Sequence, residues 1–205
     1  MYSIYSDGSN LIKLNNDDAS INCTDFAIFP DGKKIAYASE ERYNVSSGSN
    51  PTHTEIHRYI NIMNFDGSGK ITIDNVVESD RYEGISLSPQ GNQIVYSISY
   101  NVYVINIDGS NKIKIGAGSY PQWSPDSEKI IYTNGLLYII NPDGTSLQSI
   151  DPFNKSNYVV SYQWSPDGKK IVFCNPHDYN IYIMNSDGSS LTKLATGFYP
   201  QWSST

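Results

Sequence analysis

By side-chain type, three histidines, His53, His57 and His177, are the residues of this 205-residue chain best suited to bind a transition metal or move a proton. A structural or catalytic zinc site usually announces itself through a compact pair of ligands. Here two imidazoles stand in a Ser/Asn/Gly/Pro-rich stretch and the third lies far downstream, so the spacing assigns no metal and leaves the three as candidates only. A second recurring pattern, Asn-x-Asp-Gly-Ser, raises the question of calcium. An EF-hand loop needs an acid at its first position and a Glu at its twelfth, whereas Ile183 holds the first position in the last copy, so these aspartates read as turn formers. No G-x-S-x-G elbow, Walker loop, cysteine cluster or H-E-x-x-H is present, which points away from catalysis and from any cofactor. Aromatic residues offer different chemistry. Tyr82, Tyr120, Tyr158, Phe198 and Tyr199 present flat, amphipathic faces that suit a peptide or a sugar; the competing reading packs them as core.

The elements that must position these residues are short strands. Residues 162–194 read YQWSPDGKKIVFCNPHDYNIYIMNSDGSSLTKL, with two β-rich runs joined by a Ser-Pro-Asp-Gly turn, a third run, an Asp-Gly turn and an alternating fourth run. Nearly every other segment is a variant of this unit. The second turn recurs at Asp7-Gly8, Asp66-Gly67, Asp108-Gly109, Asp143-Gly144 and Asp187-Gly188, and the first at Pro30-Asp31, Pro89-Gln90, Pro125-Asp126 and Pro166-Asp167. A period of roughly 40 residues with four strands per unit is the pattern of a β-propeller blade, and the period-2 patterning excludes helical solenoids.

The pairing of QWSPDG with IYIMNSDGSSLTKL resembles the TolB-type propeller repeat of bacterial proteins over nearly the whole chain apart from one insertion. The third strand is also similar to that of YWTD propellers, but Trp-Ser-Pro-Asp in the first strand favours the TolB type. The resemblance implies an all-β propeller that docks a protein partner, with work in the bacterial periplasm or outside the cell. A rival from another class is the accessory or catalytic propeller of a lyase or peptidase acting on polysaccharide or peptide.

Four units are expected at residues 25–74, 83–115, 120–150 and 160–194, with a fifth seam blade shared by residues 198–205 and 1–14. The seam sequence matches a first strand and a third-plus-fourth strand but holds no second strand, so an open four-to-five-blade fragment, or an assembly that supplies the strand from another chain, is the alternative to a closed five-blade ring. Residues 40–57 read as a long surface loop inserted into the first unit.

Composition is consistent with one domain: 39% hydrophobic and 13% aromatic residues supply a core. A net charge of −7 disfavours nucleic acid and anionic membrane surfaces as partners. No apolar run approaches the length of a transmembrane helix, and residues 1–5 already read as strand with no leader pattern. Cys23 and Cys174 fall in the first and last units and read as separate thiols. Antiparallel order then sorts the loops. The tight Asp-Gly turns share one face, while the approach and middle loops share the other, which therefore carries the aromatic candidates and is the expected recognition face.

Overall fold

The computed structural model describes residues 2–3, 12–13, 21–45, 53–77, 82–151 and 161–203. Strands β1 (Tyr2–Ser3) and β2 (Ile12–Lys13) pair as an antiparallel hairpin. Four antiparallel sheets follow, each a meander in chain order. Blade 1 comprises β3 (Ile21–Ile28), β4 (Lys34–Val45), β5 (His53–Asn64) and β6 (Ile71–Val77); blade 2 comprises β7 (Tyr82–Leu87), β8 (Gln93–Ile98), β9 (Asn101–Asn106) and β10 (Ile113–Ala117). Blade 3 comprises β11 (Ser119–Trp123), β12 (Ile130–Asn134), β13 (Leu136–Ile140) and β14 (Gln148–Ile150); blade 4 comprises β15 (Ser161–Trp164), β16 (Lys170–Asn175), β17 (Asn180–Asn185) and β18 (Thr192–Thr196). The described residues contain no helix.

The second strand of each blade explains why the blades stack. Along β8, Ile94, Tyr96 and Ile98 face one core, shared with Ala36, Ala38 and Ile60 of blade 1. The intervening Val95 faces the opposite core, shared with Trp123 and Ile130 of blade 3. Strand β12 repeats the division: Ile130 and Tyr132 turn toward blade 2, and Ile131 toward Tyr162, Trp164 and Phe173 of blade 4. A run apolar at consecutive positions is therefore buried on both faces, and neither face can be covered by its own sheet. Each fully buried Ile contributes about 1.5–3 kcal/mol that exists only while the neighbouring blade is in place. Cross-strand aromatic pairs Tyr96–Tyr103, Tyr132–Tyr138 and Phe173–Tyr182, with centroids 5.6, 5.3 and 5.8 Å apart, stiffen the second and third strands of blades 2 to 4.

The Asp-Gly turns are built identically in all four blades. In blade 2, Asp108 Oδ1 accepts from the Ser110 backbone N–H at 2.9 Å and from its hydroxyl at 2.6 Å, while Asn106 Nδ2 donates to that same hydroxyl at 2.9 Å. The aspartates thus serve the turn, as their spacing suggested. Gly109 sits at φ +84°, and a Cβ there would stand 3.0 Å from the Ile73 carbonyl of blade 1; at Gly188 it would stand 3.2 Å from Ile150 of blade 3. Glycine is required by both the turn and the close approach of the preceding blade.

One expectation is overturned. Residues 40–45 and 53–57 are strand rather than loop, with β4 and β5 paired continuously from Lys34↔Asn64 to Val45↔His53, while residues 46–52 lie outside the described residues. The signal was alternation hidden by polar residues. Glu40 pairs with Arg58 at 3.3 Å, Tyr43 lies edge-on to His57 with ring centroids 4.8 Å apart, and Thr54 donates to Asn44 at 3.1 Å, so a charged and hydrogen-bonded ladder carries a hairpin that hydropathy does not reveal. Both cysteines are free.

Trp164→Ala is expected to lower stability by about 3 kcal/mol, because the indole fills the core between blades 3 and 4; chemical denaturation checks this, and an unchanged midpoint would contradict the blade stacking. A second expectation concerns acid. Hydrogen bonds from the Ser or Thr hydroxyl, then from a backbone N–H, hold Asp66, Asp108, Asp126, Asp143, Asp167 and Asp187 below the usual carboxylate range. Folded values below unfolded ones give stability that is present above about pH 4 and lost as the pH falls through the depressed values. Burial raises Asp25 and acts in the opposite sense. The urea midpoint should therefore fall between pH 5 and 3 on balance, and the fall should be shallower in Ser110→Ala.

Candidate functional site

The loop face carries a module present twice in the sequence. Ala117-Gly118-Ser119-Tyr120-Pro121-Gln122-Trp123 and Thr196-Gly197-Phe198-Tyr199-Pro200-Gln201-Trp202 share Gly-x-Tyr-Pro-Gln-Trp. Both tyrosines take left-handed backbone, at φ +56° and +51°, and Tyr120 falls where the β11–β12 register shifts. A bulky residue in this region costs about 1–3 kcal/mol unless its surroundings impose it, and here the glycine two residues earlier and the following proline fix the corner. A Cβ on Gly118 would lie 2.4 Å from the Thr133 carbonyl.

The corners aim tyrosines outward. Tyr120 is 53% exposed and Tyr199 79% exposed, so neither is core. Together with Gln122, Ser161, Tyr162, Gln163, Pro200 and Gln201 they line a cavity of about 240 Å³ over the innermost strands of blades 3 and 4. Its floor is braced. The buried Tyr162 hydroxyl donates to the Tyr120 carbonyl, and Gln122 Nε2 donates to the Tyr162 carbonyl at 3.0 Å. Burial pushes the Tyr162 phenol well above its ordinary value, so it stays a neutral donor across the physiological range. Trp202 Nε1 reaches the Gln163 carbonyl at 3.4 Å, which places the terminal segment beside β15.

Each corner is tied to the middle loop of the preceding blade. Gly118 N–H donates to the Tyr100 carbonyl at 2.9 Å, and Gly197 N–H to the Tyr179 carbonyl at 2.8 Å. Tyr100 and Tyr179 are themselves left-handed, at φ +60° and +58°, and about half exposed. Tyr179 meets Phe198 edge-on at 5.3 Å, and Phe198 lies 6.4 Å from Tyr199, giving a continuous aromatic rim on the blade 4 side. Tyr100 and Tyr179 were missed in the sequence, although a second direct repeat, YNVYVIN and YNIYIMN, marks them both.

Of the aromatic candidates, Tyr120 and Tyr199 share the cavity and Phe198 adjoins it. Tyr82 opens β7 with its side chain outside those described, and Tyr158 lies outside the described residues. His57 and His177 stand in different blades. His57 belongs to β5 and meets Tyr43 and Glu55, His177 lies in the β16–β17 turn with its N–H on Asn175, and the side chain of His53 is not among those described. Among the described residues no group of three His, Cys, Asp or Glu could hold a metal. The cavity's described lining offers amides, hydroxyls and aromatic faces, groups that match uncharged hydrogen-bonding partners.

No family model matches the chain. A curated relative, dipeptidyl-peptidase 5 of Porphyromonas endodontalis, is 26% identical over 159 residues, covering 66% of this chain and 23% of the relative. Among solved structures, TolB of Acinetobacter baumannii superposes with a TM-score of 0.62 at 18% identity over 95% of this chain and 48% of its own. A puromycin-hydrolyzing peptidase of Mycobacterium tuberculosis superposes at 0.66 and 18% identity over 86% of this chain and 31% of its own. The chain thus spans under a quarter of the curated relative and about half of TolB. Four meandering blades, their shared cores and these superpositions together make the fold a TolB-like β-propeller fold.

Proposed function

We propose that the chain is a non-catalytic binding scaffold whose loop face takes an extended, uncharged stretch of a protein or peptide. The observation that supports this most is the pair of strained Tyr-Pro-Gln-Trp corners, which spend backbone energy to expose two tyrosines beside one amide-lined cavity. Tyrosine supplies large contact area at little entropic cost, and glutamine amides match the alternating donors and acceptors of an extended backbone. Sugar hydroxyls satisfy the same groups, so a carbohydrate is the alternative ligand of this face. In this reading the protein works in the bacterial periplasm or outside the cell, and its terminal strands complete a fifth blade.

A second reading, in which the chain is the propeller part of a longer peptidase, is favoured by the curated relative, of which the chain covers only 23%. There the same rim would guide peptide toward chemistry performed elsewhere.

Selection of peptides against the chain, followed by calorimetric titration, tests the proposal. Tyr120→Ala and Tyr199→Ala should each weaken a selected peptide about five- to thirty-fold, the range expected for interface tyrosines, with the melting temperature little changed. Selected peptides that bind both variants undiminished would contradict the assignment of this face, and release of amine product from peptide substrates by the chain alone would contradict the non-catalytic reading.

A further inference from the structure

The hydrogen-bonding groups of the loop-face cavity narrow the class of polypeptide it can take. Three main-chain carbonyls of its lining are already filled from within the fold: that of Tyr120 accepts from the Tyr162 hydroxyl, that of Tyr162 from Gln122 Nε2 at 3.0 Å, and that of Gln163 from Trp202 Nε1 at 3.4 Å. What the lining still offers is side-chain chemistry. Among the described residues, the hydroxyls of Tyr120, Ser161 and Tyr199 and the side-chain amides of Gln163 and Gln201 have no hydrogen-bond partner. Each amide carries two N–H donors against one oxygen, and each hydroxyl donates as well as accepts, so donors are in surplus. The matching ligand brings carbonyl oxygens in excess of N–H groups. An ordinary extended strand brings the two in equal number, and a sugar hydroxyl is donor and acceptor at once. A proline brings a carbonyl and no N–H.

The rim fits the same segment. Tyr179, Phe198 and Tyr199 follow one another with ring centroids 5.3 and 6.4 Å apart at interplanar angles of 67° and 40°, so neither contact stacks ring on ring and the rings stand as separate ridges. All three are at least half exposed, as is Tyr120. Pyrrolidine rings pack into grooves lined by aromatic side chains, and a polyproline II segment enters them already ordered, which lowers the entropy lost on binding. Its main chain makes no internal hydrogen bonds, so its carbonyls are free to accept from hydroxyls and amides.

We propose that the loop face selects a proline-rich segment in polyproline II conformation, with pyrrolidines between the aromatic rings and carbonyls on the free hydroxyls and glutamine amides. The inference rests on the reading that this face binds a polypeptide, and it adds the class of sequence. The amide oxygens of Gln163 and Gln201 accept from the few N–H groups such a segment keeps, so its prolines alternate with other uncharged residues.

Peptides selected against the 205-residue chain from a random library give the test, and their sequences are read first. Proline should be enriched about threefold over the library, at every second or third position, in keeping with a helix of three residues per turn. In calorimetric titration, replacing the prolines of a selected peptide by alanine should weaken binding about tenfold. Tyr199→Phe, which keeps the ring and removes the hydroxyl, should weaken it about two- to tenfold, and Tyr199→Ala about five- to thirty-fold. Residue 199 is 79% exposed, so both variants should keep the parent's circular dichroism. Selected peptides free of proline whose binding still depends on Tyr199 would overturn the proline assignment and leave the binding scaffold standing. Proline-rich peptides indifferent to both Tyr120→Ala and Tyr199→Ala would overturn the site. A library that yields no binder, while cellohexaose binds saturably, would overturn both readings and assign the face to carbohydrate.

Discussion

Burial of the second strand on both faces is the constraint on which the rest of the molecule depends. Strand β8 places Tyr96 in one core and Val95 in another, and β12 does the same with Tyr132 and Ile131. A single four-stranded sheet with such a strand would leave half of its apolar side chains in water, so the blades are stable only as a stack. The turns answer to the same requirement. Gly109 and Gly188 take left-handed backbone and lie close to the outer strand of the preceding blade, where a Cβ would stand 3.0 Å from the Ile73 carbonyl and 3.2 Å from the Ile150 side chain.

That division of labour frees the opposite face. With the turn side held by short, self-satisfied Asn-x-Asp-Gly-Ser networks, the approach and middle loops can be strained without loss of register. On this face the left-handed non-glycine residues are Ser99 and four tyrosines, Tyr100, Tyr120, Tyr179 and Tyr199, and all four tyrosines are exposed. Two of them hand their carbonyls to the glycines of the next corner, so each corner's position depends on the blade before it. The face thus holds amphipathic rings in solvent beside a cavity lined by amides, hydroxyls and phenols.

Much of this was legible in the sequence because turns carry hard stereochemistry. Asp-Gly turns and Pro-containing turns at recurring spacing mark the four four-stranded sheets, and antiparallel order sorts their loops onto two faces. What escaped were features whose signal is polar or indirect. The β4–β5 extension is written in Glu40, Arg58, Asn44 and Thr54, side chains that resemble a loop by composition and find partners across the two strands. Tyr100 and Tyr179 sit in hairpin turns, where tyrosine has no propensity to announce itself, and only comparison of YNVYVIN with YNIYIMN reveals them. The exposure of Phe26 and Ile28 could not be read from β3 alone, since these residues are as apolar as their buried counterparts Ile85, Tyr162 and Trp164.

Amide hydrogen exchange read strand by strand tests the stacking account most directly. If the second strands are the shared layer of the structure, amides of β8, β12 and β16 should be the slowest to exchange, opening only with global unfolding, while those of the outer strands β10, β14 and β18 exchange through local fraying. Protection spread evenly over all strands, or greatest in the outer ones, would contradict it.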